Sequence, residues 1–446
     1  MFVEAEDVTG AGLASLLETA LTNLGLSLAQ CRGQGYDGEA AMMGRFKGVR
    51  TISQEKQPLA VHTHCFAHRL NLSVSSSCEL PISKNVFGTV ATIIDFFSYG
   101  KRAQTLEQME LKAGGDEIDK KNRLKRYNPT RWVERHESLA TFVDALPRIV
   151  HVLKDMSNSR DCKTSALAAS LLRSVLRSQF LIGLFVADRL LSYVAPLSRK
   201  LQTVDLNIGQ AMKLVYITVA KLQEIRTSSH EVFKDIYEKT VKTASPWGTT
   251  FEKPRVVDRQ TIRENVECAN VEDYYRRSAF IPFTDFLIAE LNDRFSNPPK
   301  AYQLQELIPG FMTPNAECNV LDAAKDYMHV TDLPYPLVVV RCEMEMWTSA
   351  IRRSGQVYTS LSSSINEARS MGLECIVTLL RVFGTIPVTT ATAERSFSRQ
   401  KLLKTWLRST VSQDRLNALT LLSMKTAVDT ESVINLFKEK KRRLVL

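Results

Sequence analysis

Four features are missing from this 446-residue sequence, and each absence removes a class of protein. There is no Cys-x-x-Cys pair. The eight cysteines, at 31, 65, 78, 162, 268, 318, 342 and 375, are scattered through the chain, which argues against a zinc ribbon or a disulfide framework and predicts reduced thiols. There is no long hydrophobic run: the longest, Phe180 to Ala187, is interrupted by Gly183 and stopped by Asp188 and Arg189. That falls short of the ~20 residues that span a bilayer, so no membrane partner is expected. There is no basic, then apolar, leader; the sequence opens MFVEAEDVTG, and the chain is expected inside the cell. There is no fixed internal repeat, which excludes a solenoid.

What is present is ordinary for a folded protein of this size. Hydrophobic residues make up 44% and charged residues 24%, far from the composition of a disordered chain. Lys and Arg number 58 against 48 Asp and Glu, and the net charge of +10 favours polyanionic partners such as nucleic acid.

Leu13, Leu16, Leu17, Leu21 and Leu24 recur at three and four, predicting an amphipathic helix from Gly10 to Gly25. Leu26 to Tyr36 reads as a strand delivering Asp37 into the glycine-flanked loop Gly33-Gln34-Gly35-Tyr36-Asp37-Gly38; Leu59 to His64 reads as a second strand running into a helix at Ala67 to Val74. From Val133 to Thr240 the periodicity is helical, for instance Met212, Val215, Tyr216, Val219, Leu222 and Ile225 in one stripe. Pro and Gly mark seams at 245–256 and 297–314, and the last sixty residues are helical, with Leu402, Leu403, Trp406 and Leu407 on one helix and Leu416, Leu419 and Leu422 on another. The order is a small α/β element, a long helical middle and a helical end.

Five stretches then occur in a telling order. They are Gly33 to Gly38 with Met42-Met43-Gly44; His64-Cys65-Phe66-Ala67-His68-Arg69-Leu70-Asn71; Asn128-Pro129-Thr130-Arg131-Trp132; Ile281-Pro282-Phe283 through Arg294-Phe295; and Ala393-Glu394-Arg395-Ser396-Phe397-Ser398 leading to Lys404-Thr405-Trp406-Leu407-Arg408-Ser409. Together they resemble a hAT-superfamily transposase, and in particular the host-derived zinc-finger MYM-type and THAP-type groups. The resemblance implies an α/β class with predominant α: a partial RNase H-like core over 1–132 with its first strands missing, a helical insertion over 133–370, and over 371–446 the completion of the core, a helical dimerisation region and a basic tail.

In that family an Asp, Asp, Glu triad holds two Mg²⁺ ions, one activating the attacking oxygen and one stabilising the leaving oxygen. The resemblance makes Asp37 the second Asp and Glu394 the Glu. It places Cys65, His68, Arg131 and Trp132 beside them. The first Asp has no counterpart in the 36 residues before Asp37; Asp7 and Glu6 sit where acids serve a helix N-terminus. A vestigial, non-catalytic derivative is therefore expected, with no cofactor, and Mg²⁺ only if the triad is completed. The rival is the C-terminal part of a competent Mg²⁺-dependent transposase whose first Asp and zinc finger lie upstream.

Each residue also has a plainer reading. Asp37 suits an Asx-turn. His62, His64, Cys65 and His68 suggest zinc, yet a closed site needs four ligands and no second pair lies near. Trp132 is a core anchor or a stacking platform for a base. Lys121, Arg123, Lys125 and Arg126, with Arg131 and Arg135, form a phosphate-binding patch or a solvated loop. Lys438, Lys440, Lys441, Arg442 and Arg443 read as a nuclear import signal or a frayed end. Phe397, Leu403, Trp406, Leu407, Leu416 and Leu419 are the apolar residues of the dimerisation region, buried within the chain or against a second copy. The expected partners are a second copy of the chain, DNA and other nuclear proteins, and the expected location is the nucleus.

Overall fold

A computed structural model describes residues 2–98, 100, 102–106, 132–203, 206–253, 268–328, 333–355, 359–405, 410–424 and 429–439. In chain order the principal elements are α1 (Gly10–Asn23), β1 (Gly33–Tyr36), α2 (Val49–Lys56), β2 (Val61–His64), α3 (Phe66–Ser77), α4 (Pro81–Phe97), α5 (Trp132–Ser157), α6 (Cys162–Val175), α7 (Ser178–Leu201), α8 (Ile208–Thr227), α9 (Ser229–Ala244) and α10 (Ile281–Phe295). They continue with α11 (Ala316–Ala324), α12 (Leu337–Ser354), α13 (Leu361–Ser370), α14 (Glu374–Thr385), α15 (Ala391–Leu403), α16 (Gln413–Met424) and α17 (Thr430–Glu439). The protein is predominantly helical, with two parallel strands among the described residues. It divides into two compact units, 1–65 with 303–446, and 66–302. Those seams fall at 65 and 302, whereas the sequence-based boundaries lie at 132 and 370. They fall there because α3 and α4 pack on the helices of the middle of the chain.

The 66–302 unit is built around α7, which packs against α4, α5, α8 and α9. By length and hydropathy α7 could cross a membrane, although the sequence-based reading ends its apolar run at Asp188; 72% of its most apolar window is buried inside the fold, so its hydrophobicity is that of a core helix. Gly183 sits on α7 because a Cβ there would lie 2.7 Å from Val86 Cγ2 and 2.9 Å from Ile82 Cγ2 on α4. Helix starts are specified locally. Asp161 accepts from the Lys163 and Thr164 amides at the head of α6, and Asn207 with Gln210 forms a capping box at the head of α8. Met212, Val215, Val219, Leu222 and Ile225 are buried on α8 as the stripe predicts. Tyr216 is not; it lies about 100° round the helix from Val215 and is 60% exposed.

The other unit holds the strand pair. β1 and β2 run parallel with Gly33 opposite Val61 and Tyr36 opposite His64, joined by a crossover that contains α2. The first strand is shorter than Leu26 to Tyr36, since Leu28–Gln30 forms a 3-10 turn. The helix α1 starts where expected, with the Thr9 side chain accepting from the Gly12 amide, but its leucine stripe is only half-buried and Leu24 is exposed. Further along, Trp347 of α12 is fully buried and its Nε1–H donates to the Leu307 carbonyl at 3.0 Å. Glu343, one turn earlier on α12, accepts from the Cys375 and Ile376 amides in the first turn of α14 at 2.9 and 3.2 Å, capping that helix from a neighbouring element.

Candidate functional site

The glycines of Gly33-Gln34-Gly35 show why β1 has the sequence it has. Residues two apart on a strand share a face, and on that face the chain at 385–387 passes directly over the backbone. A Cβ on Gly33 would lie 2.5 Å from the Thr385 carbonyl oxygen, and one on Gly35 would lie 2.7 Å from Pro387 Cγ. Gln34 points the other way, is buried, and donates from Nε2 to the Ala60 carbonyl at 3.0 Å. The close approach fastens the segment that leads into α15, and hence Glu394, alongside the strand that leads into Asp37.

Hydrogen bonds complete the connection. The Cys65 amide donates to the Tyr36 carbonyl at 2.9 Å, and the buried Cys65 Sγ accepts from the Thr390 amide at 3.2 Å. Thr390 Oγ1 in turn donates to Glu394 Oε1 at 3.0 Å. The end of β1, Cys65 and the head of α15 thus form one connected element, and Thr390, which has no signal in the sequence spacing, is its middle link. Beside Asp37, burial pushes the Tyr36 phenol above its ordinary range, opposed by a hydrogen bond with Ser53. The Tyr36 and His62 rings stack at 6.1 Å.

Asp37 Oδ1 accepts from the Glu39 amide at 3.3 Å, the Asx-turn geometry of the plainer reading. Asp7 Oδ1 accepts from the Thr9 amide at 2.8 Å; hydrogen bonds with Thr9 hold its carboxyl below the ordinary range and commit it to the start of α1. Among the described residues, no group of three or more His, Cys, Asp or Glu side chains is placed to hold a metal ion. Among the described residues, Asp37 and Glu394 are joined by no third acid in such a group, and His62, His64, Cys65 and His68 form none.

Within the 66–302 unit two further motifs meet. His68 and Arg69 lie on α3, which packs along α10, the helix of Ile281-Pro282-Phe283 and Arg294-Phe295. The Arg69 guanidinium lies 4.6 Å from the Phe295 ring centroid and 5.4 Å from that of Phe66, with the two rings edge-on at 5.2 Å. Burial lowers the Arg69 pKa from its ordinary value. Arg294 pairs with Glu290 at 2.9 Å and reaches Ser76 Oγ at 3.4 Å, tying α10 to α3. These contacts fasten two helices, which is a packing role.

Arg131 and the basic residues Lys121, Arg123, Lys125 and Arg126 lie outside the described residues, as do Trp406, Leu407 and residues 440–446; Trp132 opens α5. The dimerisation residues divide. The helix α15 ends at Leu403 with its C-cap at Lys404. Leu416 is buried, Leu403 and Leu419 are half-buried, and Phe397 is exposed. Leu402, Leu421, Leu422 and Met424 are exposed too, as are Val433, Ile434 and Leu436 on α17.

Comparison with known proteins places this arrangement. A family model described as the ZMYM1/FAM200 RNase-like domain matches residues 1–48, which include β1 and Asp37. The hAT family C-terminal dimerisation region matches residues 368–428, from the end of α13 through α16. Two similar curated proteins bear the name 52 kDa repressor of the inhibitor of the protein kinase. The mouse protein is 26% identical over 436 residues, covering 92% of this chain and 56% of its own length. The human protein is 25% identical over 435 residues, covering 92% of this chain and 55% of its own. The chain spans about half the length of these relatives. With an RNase-like match at one end, a hAT dimerisation region at the other and relatives aligned through the span between them, the chain is similar to hAT-transposase-derived proteins along most of its length.

Proposed function

We propose that this chain acts without catalysis, as a hAT-derived protein that self-associates through residues 368–428 and engages DNA or chromatin-bound proteins in the nucleus. The observation that carries this reading is the dimerisation region itself, folded onto α15 and α16 with Phe397, Leu402, Leu421 and Leu422 exposed. Exposed apolar side chains gathered on neighbouring helices suit a contact with another chain. The net charge of +10 favours a polyanion, and the basic run from Lys121 to Arg135 together with the tail at 438–443 supplies phosphate contacts and an import signal. The two repressor-named relatives fit a regulatory protein. The carboxylates support the non-catalytic part: Asp37 accepts from its own turn and Glu394 from its own helix head, and neither joins a third acid among the described residues.

The test is light scattering of the purified chain combined with retention on duplex DNA at low and high salt, and a nicking assay in Mg²⁺. The expected results are a dimer that Leu421→Glu with Leu422→Glu converts to monomer, DNA held only at low salt, and no cleavage. A monomer indifferent to DNA overturns the binding reading. Mg²⁺-dependent cleavage abolished by Asp37→Ala would falsify the non-catalytic one.

A further inference from the structure

The segment that precedes α1 lies across the two helices of the dimerisation region, in the manner of a bound peptide. The Phe2 amide donates to Asn417 Oδ1 at 2.8 Å, and the Phe2 carbonyl accepts from Asn417 Nδ2 at 3.1 Å and from Gln413 Nε2 at 2.5 Å. Gln413 and Asn417 are four apart on α16 and so share a face. One side-chain amide satisfying both the N–H and the C=O of a single residue reproduces what a neighbouring β-strand offers an extended chain, and it requires no particular side chain. Side-chain selectivity comes from the ring. Phe2 packs edge-on against Phe397 of α15 at 5.8 Å between centroids and an interplanar angle of 66°.

The groove is larger than its occupant. Between residues 2–4, α15 and α16 there remains a cavity of about 420 Å³ whose lining includes Phe397, Leu416, Leu421 and Met424. Residues 2–4 are held at one backbone position and one ring, and cover part of the apolar surface of the matched dimerisation region.

We propose that the α15–α16 groove is a site for an extended peptide segment bearing an aromatic residue, and that residues 2–4 occupy it as an internal ligand that covers part of the dimerisation surface until displaced. The covering role rests on the self-association proposed above; the peptide site does not. Releasing the segment frees the part of the Phe397 ring that Phe2 packs against, together with the amide pair of Gln413 and Asn417.

The probe is a synthetic peptide of residues 1–7 (MFVEAED), acetylated and amidated at its ends and fluorescently labelled, titrated by anisotropy against the full chain. Phe2→Ala in the protein loosens the internal ligand and leaves the groove intact, so the peptide is expected to bind this variant about tenfold tighter than wild type. That factor corresponds to an internal segment that occupies the groove roughly nine-tenths of the time. Adding Asn417→Ala to that variant removes the backbone clamp and lowers the affinity again by about tenfold, and a peptide with Ala at its second position binds neither protein. Circular dichroism melts establish that each variant is folded; if the Phe2→Ala chain is not, Val3→Gly takes its place. Equal binding by wild type and the loosened variant, or binding insensitive to Asn417→Ala, overturns the site. Sedimentation of the same proteins reads the covering role, with stronger self-association expected for Phe2→Ala. Peptide binding without self-association in any variant would leave the site standing and defeat the self-association reading. Self-association without peptide binding does the reverse.

Discussion

Removing the Glu343 carboxylate tests the account of the 303–446 part of the fold most directly. The cap it provides is tertiary: Glu343 lies on α12, and the amides it satisfies belong to Cys375 and Ile376, in the first turn of α14. Both residues are buried, so water cannot replace the lost acceptor. In Glu343→Ala two amides lose a charged acceptor and the positive end of α14 loses its anion. A helix cap is worth about 0.5–2 kcal/mol, and leaving a buried donor unsatisfied costs about 1–3 kcal/mol, so a loss of about 2–4 kcal/mol is expected. Glu343→Gln keeps an oxygen in place without the charge and is expected to lose about 1 kcal/mol. For a unit of this size each kcal/mol moves the midpoint by about 2–4 °C, which predicts a drop of about 4–16 °C for the alanine variant. Because the chain has two compact units, the melt is read beside amide exchange of the peptide covering 374–385, which isolates α14. An alanine variant within about 0.5 kcal/mol of wild type, or equal losses for glutamine and alanine, refutes the capping argument.

The same neighbourhood predicts a pH effect. Burial, and then the Glu343 carboxylate, push the Cys375 thiol up to about 12 from the ordinary 9.0. A raised acid favours its neutral form in the fold, so this contribution to stability is intact below pH 9 and is lost as pH rises from about 9 toward 12; chemical denaturation across that range measures it. Alkylation at neutral pH followed by peptide mapping should label Cys162, Cys318 and Cys342, which are exposed, and spare Cys65, Cys78 and Cys375, which are buried. Gly35→Ala places a Cβ 2.7 Å from Pro387 and should cost about 1–3 kcal/mol in denaturant titrations, without altering residues of the other unit. Burial raises the Asp188 carboxyl above its ordinary value, more than Lys239 lowers it. Its contribution is therefore fully present below about pH 4 and lost as pH rises through the raised folded value, and Asp188→Asn should flatten that dependence in pH-resolved melts.

Repetition at three and four was enough to place α1 and the buried stripe of α8, and the glycine-flanked stretch ahead of Asp37 marked the end of β1 but not its start, because backbone periodicity is a local property that neighbours in sequence set. The run Phe180 to Ala187 was equally legible as apolar. That its burial continues past Asp188 to Leu201 was not, since a charge near the edge of a buried face ends a hydrophobic run without ending the buried face of a helix. The failure at Tyr216 has the same origin: spacing fixes a side chain's angle on the helix, and the width of the buried stripe depends on what packs there.

The candidate site was legible as residue types and order, and no further. Asp37, Cys65 and Glu394 can be picked out on the page, but Thr390, the link between the last two, carries no motif, and neither do Glu343, Gln413 or Asn417. Their roles arise from contacts across tens to hundreds of positions, as between Phe2 and Asn417 or Cys65 and Thr390. The sequence by itself determined the helical character of the chain, its short α/β opening, its positive charge and its kinship. Tertiary structure alone decided which glycine needed to be a glycine, which carboxylate caps a helix and which apolar residues stay exposed. The reason is physical: propensity and periodicity act within a few residues, whereas burial and hydrogen-bond satisfaction depend on which distant segments share the same space.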